Sequence, residues 1–94
     1  MVAQEPEPEF NETEWNQRRS RLAEGIEDDQ EYLEEVLRMS RLIIQAEDAA
    51  GRYYRTLTVF EVTAARDRLQ NIDNERIQRG VELLLEIIDE IEGT

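Results

Sequence analysis

"GRYYRTLTVFEV", residues 51–62, lies at the middle of the chain and raises the question of whether the backbone turns there or runs on as helix. A helix start built from a hydrophobic staple and a capping box needs four things. These are an apolar residue at N′, a side-chain oxygen at the N-cap, Glu at N3 and an apolar residue at N4. Leu57, Thr58, Glu61 and Val62 supply that set. Just upstream, Gly51 suits the left-handed conformation that ends many helices, so "GRYYRTLT" reads as a turn between two helices. The same four-part signature occurs in "FNETEW", residues 10–15, as Phe10, Asn11, Glu14 and Trp15. A weaker copy, Ile72, Asp73 and Ile77 with Arg76 in the place of Glu, predicts a kink near 71–74.

Hydrophobic periodicity extends outward from these starts. At about 100° per residue, Trp15, Leu22, Ile26, Leu33, Leu37 and Ile44 share one side of a helix. Residues 12–50 therefore read as one long helix. Asp28 with Glu31 forms a competing capping pair that allows a bend at 25–29. In a second arm, residues 59–92, Val62, Leu69, Leu84, Ile87 and Ile91 lie on one side. Gly80 joins them where a neighbouring helix can approach closely. The expected fold is all-α: a long antiparallel helical hairpin with coiled-coil-like packing, folded about 51–58.

The apolar surface is wider than one hairpin can cover. Tyr32, Val36, Met39, Ile43, Ala46 and Ala50 make a second stripe on the first arm, and "VELLLEIIDEI" is apolar through much of its circumference. Helices of that kind need more than one neighbour, so two hairpins are expected to pair as a homodimer, a dimeric four-helix bundle. Trp15, Leu33, Ile44, Leu69 and Leu84 are the expected core. Ser40 and Asp29 fall on the same seam as tolerated edge positions.

Composition narrows the chemistry. The 94 residues contain no Cys and no His, which removes disulfides, thiolate zinc sites, imidazole bases and His-activated nucleophiles. Glu31 with Glu34 and Glu86 with Asp89 have the i, i+3 spacing of carboxylate metal bundles. No His completes either pair, and such spacing arises by chance at this Glu content. No enzyme activity, cofactor or metal is expected. No apolar run approaches the roughly 18 residues of a membrane span, and no export signal is visible. The expectation is a cytoplasmic protein without membrane contact.

Net charge is -12, and all eleven basic residues are Arg. Residues 1–35 sum to -9, residues 36–80 to +2 and residues 81–94 to -5. Residues 1–10, with "EPEPE", read as a disordered acidic tail, and 11–94 as a single helical domain. An antiparallel hairpin would bring Arg76 and Arg79 beside the acidic run at 24–35, and Arg18, Arg19 and Arg21 beside Asp89, Glu90 and Glu92. Two surfaces follow as candidates for partner binding: the tip, Arg52, Tyr53, Tyr54 and Arg55, and the acidic flank, Glu27, Asp28, Asp29, Glu31, Glu34 and Glu35.

The favoured function is a non-enzymatic protein–protein interaction module, an adaptor, assembly factor or regulator, with a partner of basic surface. The alternative is a nucleic-acid mimic that inhibits a DNA- or RNA-binding protein, since seven acids in "EGIEDDQEYLEE" approach the charge spacing of DNA. Direct nucleic-acid binding through "GRYYR" conflicts with the overall charge.

Overall fold

The computed structural model describes residues 11–44 and 49–93 of the chain. Among the described residues there are four α-helices and no strand: α1 (Glu12–Glu24), α2 (Asp29–Ile44), α3 (Ala49–Leu69) and α4 (Glu75–Glu92). The first start signature works as read. The Asn11 side chain accepts the Glu14 backbone N–H at 3.0 Å, and its carbonyl accepts the Trp15 N–H at 3.0 Å. The expected tail at 1–10 lies outside the described residues.

The first arm is broken where the bend was allowed. Gly25 takes φ +90°, a left-handed conformation that only glycine adopts cheaply, and its N–H closes on the Leu22 carbonyl at 3.2 Å. Asp28 then caps α2. Its carboxylate accepts the Gln30 N–H at 3.0 Å and its carbonyl accepts the Tyr32 N–H at 2.9 Å. α1 folds back on α2 instead of continuing it, so the single helix at 12–50 is not formed.

The midpoint is the larger correction. Residues 51–58 form no turn: they belong to α3, and Leu57 to Val62 lie in its interior. Thr58 is fully buried, and its hydroxyl donates to the Tyr54 carbonyl one turn back at 2.8 Å. A Thr hydroxyl serves a helix end as acceptor or a helix interior as donor to the i−4 carbonyl; the four-residue signature does not say which. Glu61, which a capping box would fold back onto Thr58, instead reaches Arg19 of α1 at 3.5 Å. The connection from α2 to α3 falls at 45–48, outside the described residues.

The kink expected near 71–74 is a complete break, with the cap one residue later than read. Asn74, in extended conformation, accepts the N–H groups of Arg76 and Ile77 at 3.0 and 3.3 Å. The Gln78 amide donates to the carbonyls of Leu69, Gln70 and Ile72 at 3.4, 3.1 and 2.7 Å. One side chain thus serves the carbonyls that the end of α3 leaves without helical partners.

α2, α3 and α4 pack on one another around Leu33, Val36, Val62, Leu69, Ile77 and Leu84, while a second cluster of Trp15, Met39 and Ile43 seats α1. Gly80 has the role expected of it. A Cβ there would overlap the Leu33 Cδ atoms and lie 2.9 Å from Leu33 Cγ, so α2 rests directly on the α4 backbone. Trp15, Leu33, Leu69 and Leu84 are buried and Ile44 is half-buried, as a core assignment requires.

The width argument is satisfied differently from the expectation. The described residues of one chain form four helices: α3 and α4 pack around Val36 of α2, while α1 and α3 cover Met39 and Ile43. Among the described residues of that stripe, Tyr32, Val36, Met39 and Ile43 are buried within one chain.

Candidate protein-interaction surface

The four tip residues are the opening turns of α3, and the helix divides them between two sides. Tyr54 turns inward. Its ring meets Trp15 edge-on with centroids 4.7 Å apart, and its hydroxyl donates to the Glu12 carboxylate. That bond to a carboxylate, with some burial, raises the Tyr54 pKa. Tyr53 is 67% exposed, Arg52 is exposed and Arg55 is half-buried. A tyrosine pair free to stack bases is therefore not what the helix presents.

The acidic flank is also divided. Glu35 is 1% exposed and accepts from Arg18 at 2.9 Å and Arg21 at 3.3 Å, both on α1. It is a strut between α1 and α2, not the solvent-facing contact residue its place in the acidic run suggested. The same bond, led by Glu35 and opposed by burial, raises the Arg18 pKa. Asp28 caps α2, and Asp29 pairs with Arg68 at 3.1 Å. Glu27, Glu31 and Glu34 stay exposed, Glu31 reaching Arg21 at 3.4 Å. The loop at 25–28 divides this acidic run between the end of α1 and the start of α2.

The ion pairs follow the four-helix topology in place of the expected hairpin register. Arg18 and Arg21 serve α2, Arg19 serves Glu61 of α3, and Arg79 pairs within α4 with Glu75 at 2.8 Å. Ser40, expected at an edge, is buried and donates to the Val36 carbonyl at 2.8 Å.

Two structural roles escaped the sequence reading. Arg68 stacks over the Tyr32 ring at 4.0 Å and donates to the carbonyls of Ile26 and Glu27 at 2.7 and 3.3 Å, which holds the α1–α2 loop against α3. Burial raises the Tyr32 pKa, with Arg68 opposing it. Thr58 accepts the Trp15 indole N–H at 3.0 Å, linking the two stretches that share the start signature.

An exposed apolar surface was also missed. Phe60 is 70% exposed, the highest value among the large apolar side chains described as exposed. It flanks a groove of about 830 Å³ between α3 and the end of α4, lined by Arg52, Arg55, Thr56, Val59, Ile91 and Glu92. Tyr53, Thr56, Phe60, Thr63 and Asp67 recur at alternating spacings of three and four residues, so they share one outward side of α3. That side is opposite the buried Thr58, Val62, Ala65 and Leu69. On α4, Leu85 is 43% exposed and stands one turn from buried Ile88 and two from Glu92, which lines the groove. A signal existed in the sequence: within the helix read over 59–92, Phe60 is out of phase with Val62 and Leu69.

Glu31 with Glu34 and Glu86 with Asp89 lie on different helices, and among the described residues no three acidic side chains are grouped as a metal site requires. None of the described helices is long and apolar enough to cross a membrane. No family model, no curated protein and no solved structure matches this chain.

Proposed function

We propose that this chain is a non-enzymatic, cytoplasmic protein–protein interaction module, an adaptor, assembly factor or regulator that works through the outer face of α3 and α4. The observation that carries the reading is Phe60. Exposed aromatic side chains beside a groove are the usual anchors of protein interfaces, and the other aromatic residue of comparable exposure, Tyr53, lies on the same side of α3. Leu85 and Ile91 of α4 extend the apolar surface, and Arg52 gives it a charged rim. The homodimer belongs to this proposal as a pair of complete four-helix bundles, not as two interlocked hairpins. The exposed Glu27, Glu31 and Glu34 offer a separate contact to a second partner with a basic surface.

A photo-crosslinking amino acid placed at position 60 tests the reading in living cells. The expected result is a discrete adduct, with itself or with another protein, that is absent when the crosslinker is placed at exposed Asn71. No adduct from position 60 at normal expression would overturn it.

A further inference from the structure

We infer that the occupant of the α3–α4 face is a second copy of this chain, its α3 lying antiparallel to the first about a two-fold axis at Phe60. The inference rests on the interaction reading above and specifies its partner and register.

Charge selects the copy. The chain is strongly acidic, so most pairings of two copies set like charges together. α3 is different: Arg52, Arg55, Arg66 and Arg68 outweigh Glu61 and Asp67, whereas α4 carries six carboxylates against Arg76 and Arg79. A seam along α3 brings together the least acidic sides of both bundles and lets each α3 approach the acidic flank of the partner's α4.

The outward stripe of α3 is self-complementary about its middle. With the axis at Phe60, residue 56 faces residue 64 of the other copy, residue 53 faces residue 67 and residue 52 faces residue 68. Arg52 then stands one residue, about 1.5 Å along the helix, from the partner's Asp67, while Arg68 is held by Asp29 of its own bundle, and by symmetry the arrangement occurs twice. Between these charged ends the stripe is uncharged, with Tyr53, Thr56, Thr63 and Ala64 small or neutral enough for close approach. The opposite, parallel pairing would place Arg52 on Arg52 and Asp67 on Asp67. At the centre, the partner's Phe60 comes level with the groove mouth beside Val59. A stable interface needs roughly 800 Å² per partner. One helix stripe is narrower than that, so Leu85 and Ile91 of α4 must be covered as well.

The natural chain has no cysteine, which allows a clean crosslinking test. Disulfides need Cα atoms within about 7 Å. In the antiparallel register two copies of position 56 stand about 12 Å apart along the helix at a rise of about 1.5 Å per residue. Thr56→Cys and Ala64→Cys, both at exposed sites, should therefore each stay uncrosslinked alone and form a disulfide dimer when mixed under mild oxidation. Sedimentation should show twice the 11.1 kDa chain mass, and Phe60→Asp should raise the dimer Kd at least roughly 30-fold with unchanged helicity by circular dichroism. Arg52→Asp and Asp67→Arg should each weaken the dimer about 5-fold, and the double swap should restore it.

A dimer in which Thr56→Cys crosslinks alone, or in which the mixture does not crosslink, would overturn the antiparallel α3 seam while leaving the interaction reading intact. A monomer whose position 60 captures a different protein would overturn the second copy as occupant and spare that reading too. A monomer that captures nothing at position 60 removes both.

Discussion

Residues 10–15 and residues 57–62 carry the same helix-start signature, and the structure uses them in opposite ways. At Asn11 the side-chain oxygen accepts an N–H that has no helical partner. At Thr58 every nearby N–H already has one, so the hydroxyl donates to the Tyr54 carbonyl and accepts from Trp15. The two stretches are joined across the fold by that Trp15–Thr58 bond and by the Tyr54 hydroxyl on Glu12. A capping signature therefore describes what four side chains are able to do. Whether it marks a start depends on whether the residues before it are free of helix.

Proline gives the widest separation between the two sites. At the first position after a true cap, proline lacks only an N–H that would be unpaired anyway. Glu12→Pro should therefore leave α1 capped and cost stability chiefly through the lost contact to Tyr54, less than the loss at position 59. Val59→Pro should cost about 3 kcal/mol or more, because position 59 lies well inside α3. Urea unfolding followed by circular dichroism measures both. Equal, small losses would mean that α3 begins at Thr58 after all.

The polar atoms themselves should differ next. Thr58→Val keeps the shape and leaves the buried Trp15 indole N–H without an acceptor, an expected loss of about 1–3 kcal/mol. Asn11→Ala removes an exposed cap and should cost about 1 kcal/mol. An indole N–H resonance that shifts in the first variant and not in the second would tie the loss to this bond.

Alkaline pH supplies the finest test. Tyr54 has a raised pKa in the folded chain, chiefly through its bond to Glu12. Its stabilising contribution is complete below the ordinary phenol value of about 10 and declines as pH rises above it toward the folded-state value. The urea midpoint should fall above pH 10, and Tyr54→Phe should reduce that fall. Tyr32, raised by burial, moves the midpoint in the same direction and accounts for what is left. A fall of unchanged size in Tyr54→Phe would detach Tyr54 from Glu12.

Much of the fold was legible. The helical content, the Asn11 start, the weak point at 25–29, the core positions Trp15, Leu33, Leu69 and Leu84, and the close approach at Gly80 all follow from periodicity and cap chemistry. Less of the candidate surface was. Reading 51–58 as a turn gave Tyr53 and Tyr54 equal standing, though one faces solvent and the other Trp15. Phe60 lay inside the helix read over 59–92 and out of phase with Val62 and Leu69, but only the packing of α3 left its side in water. Glu35 was indistinguishable from its acidic neighbours because its partners, Arg18 and Arg21, come near only when α1 folds back on α2.

Local sequence by itself determined where this chain is able to form helix, which residues are apolar at helical spacing, and how its charge is distributed. Those are properties of neighbours within one or two turns. Tertiary structure alone decided which cap signatures become ends, which carboxylate is buried, and which aromatic is left in water. Each of those depends on a group distant in sequence, such as the indole that reaches Thr58 or the guanidinium groups that reach Glu35, and no periodicity within a single helix records where another helix will lie.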